Sequence, residues 1–193
     1  MLPVEKNESG FTLIELLTVI VIIGILAGFS ALGMDFVRSE RVLSATKQLV
    51  ADIQQARVDA LTSRATDTIM GSGIRFSPPG TYVSFAWNDN DAPSPDFLYQ
   101  AGEESNAQTH TLPASLSLDL PGNAANPVLV YDHSGFPTMY KADGTAVPLP
   151  ADGMSINIID PSFNSNIIRC VNVTLNSVRE GVWVSATSTC SAQ

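Results

Sequence analysis

The 193 residues carry 19 acidic against 10 basic side chains, a formal net charge of −9, and 45% of them are hydrophobic. That acidic balance is a poor match for nucleic acid, where affinity comes from neutralised phosphates. Two cysteines and two histidines supply too few ligands for a structural zinc site.

The first element in chain order is an apolar run, Phe11 to Leu32, interrupted by one charge, Glu15. As a helix, its 22 residues would measure about 33 Å, enough to cross a hydrocarbon core of about 30 Å. A carboxylate inside such a run costs about 2.5–3.5 kcal/mol at mid-bilayer and less near an end, so an acid kept there points to function. A cleaved secretory peptide would show a basic end, a shorter apolar stretch and then a small-residue cleavage site. Here the run is too long, no such site follows it, and the candidate processing glycine, Gly10, precedes it.

Gly10-Phe11-Thr12-Leu13-Ile14-Glu15 resembles the class III signal of type IV pilins and of the pseudopilins of type II secretion. The resemblance implies cleavage after Gly10 by a prepilin peptidase and N-methylation of the new Phe11 amine. The apolar helix would be retained, first as membrane anchor and later as the packed core of a filament. Glu15 would then pair with the terminal ammonium of a neighbouring subunit and select one axial register, because an unpaired buried charge is strongly destabilising. The leader carries Lys6 with Glu5 and Glu8, whereas Arg38, Arg41 and Lys47 follow the helix. Orientation therefore rests on the cleavage signal rather than on the charge rule. Where many relatives have a proline near position 32, this chain has Gly24, Gly28 and Gly33.

Eleven of the twelve prolines lie from Pro78 onward, so nothing forces a break in a helix that continues past the anchor. Val42, Thr46, Leu49, Ile53, Ala56 and Ala60 recur at three- and four-residue spacing, with Val50 and Leu61 on the flank and Gln48, Asp52, Gln55 and Asp59 opposite. This periodicity predicts an amphipathic helix ending near Thr66–Asp67.

From about Thr68, short β-rich runs alternate with turn-forming pairs. Strands are expected at 68–70, 74–76, 82–87, 97–100, 115–119, 128–131, 138–140, 156–159, 167–175 and 181–186, with 88–96 and 101–109 as exposed loops. The fold expected is α+β: one long N-terminal helix packed on a C-terminal antiparallel β-sheet head. Its divisions would be a leader (1–10), a transmembrane and filament-core helix (11–32), an amphipathic continuation (33–67) and a β-rich head (68–193).

Further matches narrow the resemblance to minor subunits of the GspH/FimT type. They are Ala56-Arg57-Val58-Asp59-Ala60 in the second half of the helix, Val130-Tyr131-Asp132-His133-Ser134-Gly135, and Arg169-Cys170-Val171-Asn172-Val173. The expected function is a minor pseudopilin that helps start or cap a short periplasmic filament for protein export. The alternatives are a minor pilin of type IV pilus biogenesis or DNA uptake, and a membrane-anchored binding domain outside any filament. Partners implied are the prepilin peptidase, other pilin or pseudopilin subunits and an inner-membrane assembly platform, with the head in the periplasm. The chain reads as an enzyme's substrate rather than an enzyme, and no cofactor is implied.

In that oxidising compartment Cys170 and Cys190 would form a disulfide worth about 3 kcal/mol for a loop of roughly 20 residues; otherwise they stand as two unpaired structural cysteines. Without the leader the side chains sum to −8, and between Ser77 and Ile168 the only Lys or Arg is Lys141, so nucleic acid is not an expected partner. Asp132-His133-Ser134 contains the residue types of a hydrolase, but neighbours on one turn point apart and no nucleophile elbow is present. Asp89, Asp91 and Asp96 lack the EF-hand spacing and read as a solvated acidic loop, with calcium as the alternative.

Overall fold

The computed structural model describes residues 11–63, 69–89, 96, 98–120, 126–162 and 168–192, and for 29–35, 69 and 192 the backbone alone. The chain divides into two compact units, 1–39 and 40–193. Helix α1 (Leu13–Thr62) begins in the first and ends in the second.

In the first unit the described residues 13–39 are helical, and every described side chain from Phe11 to Gly28 is exposed. Leu13 is 84% exposed and Ile20 60%. Apart from Glu15 and two threonines the stretch 11–28 carries no polar side chain, so it has no polar face to set against water. Among the described residues no helix is long and apolar enough to cross a membrane.

In the second unit, α1 buries Val42, Ala45, Thr46, Leu49, Ile53, Ala56 and Ala60, the stripe read from the sequence with Ala45 added. Thr46 is tolerated there because its hydroxyl donates to the Val42 carbonyl at 2.8 Å. The same unit holds eleven strands: β1 (Ile69–Ser77), β2 (Thr81–Asn88), β3 (Glu104–Thr111), β4 (Ser117–Asp119), β5 (Val128–Asp132), β6 (Pro137–Tyr140), β7 (Ala146–Val147), β8 (Met154–Ile159), β9 (Arg169–Val173), β10 (Val178–Val184) and β11 (Thr189–Ala192). These form two antiparallel sheets, β3-β2-β1-β5-β6-β7 and β11-β10-β9-β8-β4, rather than one. The α+β class read from the sequence is the class observed.

Period-two alternation sorts the first sheet's faces. Ile74, Phe76, Tyr82, Leu129 and Tyr131 turn inward, into one core with α1 and with Ile156, Ile158, Val171 and Val173 of the second sheet. Phe85, Trp87, Val128, Val130 and Tyr140 turn to the other face, where Tyr99 and Met70 complete a second, smaller core.

Strand β1 is a single strand where the sequence suggested two pieces. Gly71 and Gly73 are in it because β5 runs close alongside. A Cβ on Gly71 would lie 1.9 Å from the Tyr131 carbonyl oxygen, and one on Gly73 would lie 2.7 Å from that of Leu129. Gly71→Ala must therefore push β1 from β5, with an expected cost of about 3 kcal/mol, the upper end of overpacking penalties. A denaturant titration showing a loss below about 1 kcal/mol would contradict this packing.

All four tyrosines are buried. Burial raises the phenol pKa of Tyr82, Tyr99, Tyr131 and Tyr140; Asp52 adds to the effect at Tyr82, as Glu104 does at Tyr99. A pKa raised above the unfolded value of about 10 means that stability is whole below pH 10 and falls as pH rises beyond it. Phenolate absorbance should therefore stay silent through pH 10 and appear only together with unfolding. A smooth titration of folded protein near pH 10 would contradict the burial.

Candidate functional site

The chemistry begins where α1 begins. Thr12 is the N-cap of α1, and Glu15 stands three residues on. The Glu15 Oε2 atom accepts the Thr12 backbone N–H and the Thr12 hydroxyl, both at 2.9 Å. The Glu15 N–H in turn reaches the Thr12 Oγ1 atom at 3.3 Å. This is a reciprocal capping box, which satisfies donors that a helix start leaves open and sets a carboxylate against the positive end of the helix dipole. The sequence reading gave Glu15 only a partner on a neighbouring subunit and missed this local one, although Thr-x-x-Glu before an apolar run is its signature. Phe11, immediately before the cap, is 86% exposed, and Gly10 lies outside the described residues.

In the second unit Cys170 of β9 and Cys190 of β11 form a disulfide, with their Cα atoms 5.9 Å apart. Strand β10 lies between them in the sheet, and two flat strand spacings would separate them by about 9.6 Å. The sheet edge therefore curls, and it does so over Gly181. A Cβ there would meet the Cys190 sulfur at 2.9 Å and the Ser191 carbonyl oxygen at 2.4 Å. The bridge fastens the last strand across a position that must lack a side chain.

Other sequence candidates have structural employment. Asp132 Oδ1 accepts the backbone N–H groups of Ser134 (2.9 Å) and Phe136 (3.0 Å), so Asp132-His133-Ser134 is a capped turn. Asp96 accepts from the Leu98 N–H and the Gln100 side chain. Asp89 is buried rather than solvated, and Asp91 lies outside the described residues. His110 stands on β3, its ring stacked on Tyr82 with centroids 4.9 Å apart.

Residues 6–31 match the family model of the prokaryotic N-terminal methylation motif. The match covers 26 of the 193 residues and includes Gly10, Phe11 and the Thr12–Glu15 box. No curated protein and no solved structure matches the chain. The motif is a type IV pilin-like signal, which implies a membrane-anchored protein, processing by a prepilin peptidase and assembly with other pilins. It indicates a family of structural subunits rather than enzymes.

Proposed function

We infer that the chain is a minor pseudopilin or minor pilin of the GspH/FimT type, anchored in the bacterial inner membrane with its β-rich head in the periplasm. Cleavage after Gly10 would free the Phe11 amine for methylation, and the apolar half of α1 would become a building element of a filament. The observation that carries this reading is the methylation motif at 6–31 with Glu15 four residues beyond Phe11, in the first turn of α1. An exposed helix start, apolar on all sides and bearing one carboxylate, is suited to stacking against copies of itself.

The Thr12–Glu15 box adds a step to the assembly chemistry. Before assembly the carboxylate is satisfied within its own chain, so the helix can wait without an orphaned charge. On incorporation, one oxygen can turn to the ammonium of a neighbour, a charge-assisted bond about twice as strong as a neutral one. Slipped registers leave that ammonium unpaired.

Type II secretion is the preferred machine, and the head's acidity weighs against direct DNA uptake. A deletion strain assayed for secretion, and separately for twitching and transformation, tests the choice. Lost secretion with normal motility is expected; the opposite pattern would move the chain to the pilus machinery.

A further inference from the structure

A groove of about 520 Å³ runs between the outer flank of α1 and strands β1–β3, within the second unit. The filament reading makes no use of it.

Two rows of planar polar side chains line it. Asp52, Gln55 and Asp59 form the helix row at spacings of three and four. Asn106, Gln108 and His110 form the β3 row at spacings of two. The helix row spans about 10 Å and the strand row about 13 Å, the length of a short oligosaccharide rather than of a single small molecule. The space between the rows exists because the residues at its base, Ala56, Gly71, Ser72 and Ala86, are small.

Hydrogen bonding restricts what could fill it. Asp52 already accepts from Gln48 (2.9 Å) and from the Tyr82 hydroxyl (2.5 Å), with the His110 Nδ1 atom at 3.4 Å. Asp59 accepts from Gln55 at 2.7 Å. These carboxylates are supplied with donors, so they do not await a cationic side chain. No Lys or Arg among the described residues lines the groove, so an anion has no counter-charge there. An extended peptide would need a regular edge on β3, but the register shifts opposite Ser84–Ala86 and Asn106 takes a left-handed φ of 53°. That bulge breaks the ladder and turns the Asn106 side chain into the groove, a use bulges have beside binding sites.

What remains is a lining with donors and acceptors on both walls. The amides of Asn106 and Gln108 bond to no described residue, and each offers a donor and an acceptor together. Ser84 and His110 contribute a hydroxyl and an imidazole, 3.0 Å apart. Vicinal hydroxyls, which donate and accept at once, are the groups this arrangement suits. We propose that the groove between α1 and β3 binds an uncharged, hydroxyl-rich chain, a short neutral oligosaccharide.

The test uses the full chain in dodecylphosphocholine micelles, which carry no sugar headgroup, applied to an array of neutral hexose and N-acetylhexosamine oligosaccharides. Polyuronate and oligolysine serve as charged controls. Retention of a neutral oligosaccharide is expected, weakened about tenfold by Asn106→Gly combined with Gln108→Ala, with an unchanged melting temperature. Gly at 106 keeps the left-handed backbone, so that variant changes the lining and not the fold. Retention of no neutral glycan, preference for either charged control, or binding indifferent to the double variant would each overturn the proposal. None of these results touches the processing reading, which depends on the other end of α1.

Discussion

Glu15→Ala is expected to reach the membrane at the parental level or above and to enter filaments at less than about a tenth of it. Removing a carboxylate from an apolar run lowers the cost of insertion. The same change leaves the ammonium of a neighbouring subunit without its partner, and an uncompensated buried charge costs about 3–5 kcal/mol, far more than a tenfold loss requires. The Thr12–Glu15 box gives this experiment a control. If the carboxylate served only the helix start, Thr12→Val would reproduce the defect, since it removes the hydroxyl that donates to Glu15 and accepts from its N–H. Losing a cap costs about 1 kcal/mol at one end of a 50-residue helix, so Thr12→Val should retain most incorporation. Sheared filament fractions compared with membrane fractions by immunoblot give both numbers. Equal defects in the two variants would reduce Glu15 to a capping residue.

The second large effect concerns the bridge between Cys170 and Cys190. Closing a loop of 20 residues restricts the unfolded chain by about 3 kcal/mol, so Cys190→Ser should lower head stability by that amount. Cys170→Ser should cost more, because Cys170 is fully buried and a serine hydroxyl there must find a partner or lose its hydration. A reductant should destabilise the parent and leave the variants unchanged in a denaturant titration. Gly181→Leu should act like the cysteine changes, since it fills the space over which β11 curls toward β9. A parent indifferent to reductant would show that the bridge does not constrain the unfolded state.

Much of the helix was legible from spacing alone. The stripe from Val42 to Ala60 is buried as its periodicity indicates, because burial of one helical face at 3.6 residues per turn leaves a direct trace in sequence. Its opposite face was less uniform than expected. Asp52 is drawn inward by Tyr82 and His110, a tertiary contact that periodicity does not encode. The helix was expected to end near residues 66–67; it ends at Thr62, and 64–68 lie outside the described residues.

The strands show where local reading fails. Residues 101–109 were read as an exposed loop, yet β3 begins at Glu104. Its sequence, ESNAQTHT, lacks alternation because it lies at a sheet edge with little to bury, and pairing with β2 makes it a strand. Strands β7 and β11 were also missed. The first is two residues long, and the second is TCSA, secured by a disulfide rather than by hydrophobic pattern. Conversely, 98–100 was read within a strand and forms none; Tyr99 is buried there by capping the smaller core. Residues 71–73 fall between two expected strands, whereas they continue β1 and their glycines serve close approach of β5. Partition into two sheets depends on which strands meet, and no single strand's sequence carries that.

The signal matched at residues 6–31 was legible because its pattern is local: a glycine, an aromatic residue and a glutamate at fixed spacing before an apolar run, and cleavage after that glycine is the claim proposed from it. Mass spectrometry of the protein isolated from its own membranes tests that claim most directly. The account predicts an N-terminal peptide starting at Phe11, its amine carrying one methyl group, and the apolar helix intact behind it. A chain still beginning at Met1, or one trimmed beyond Leu32, would contradict it.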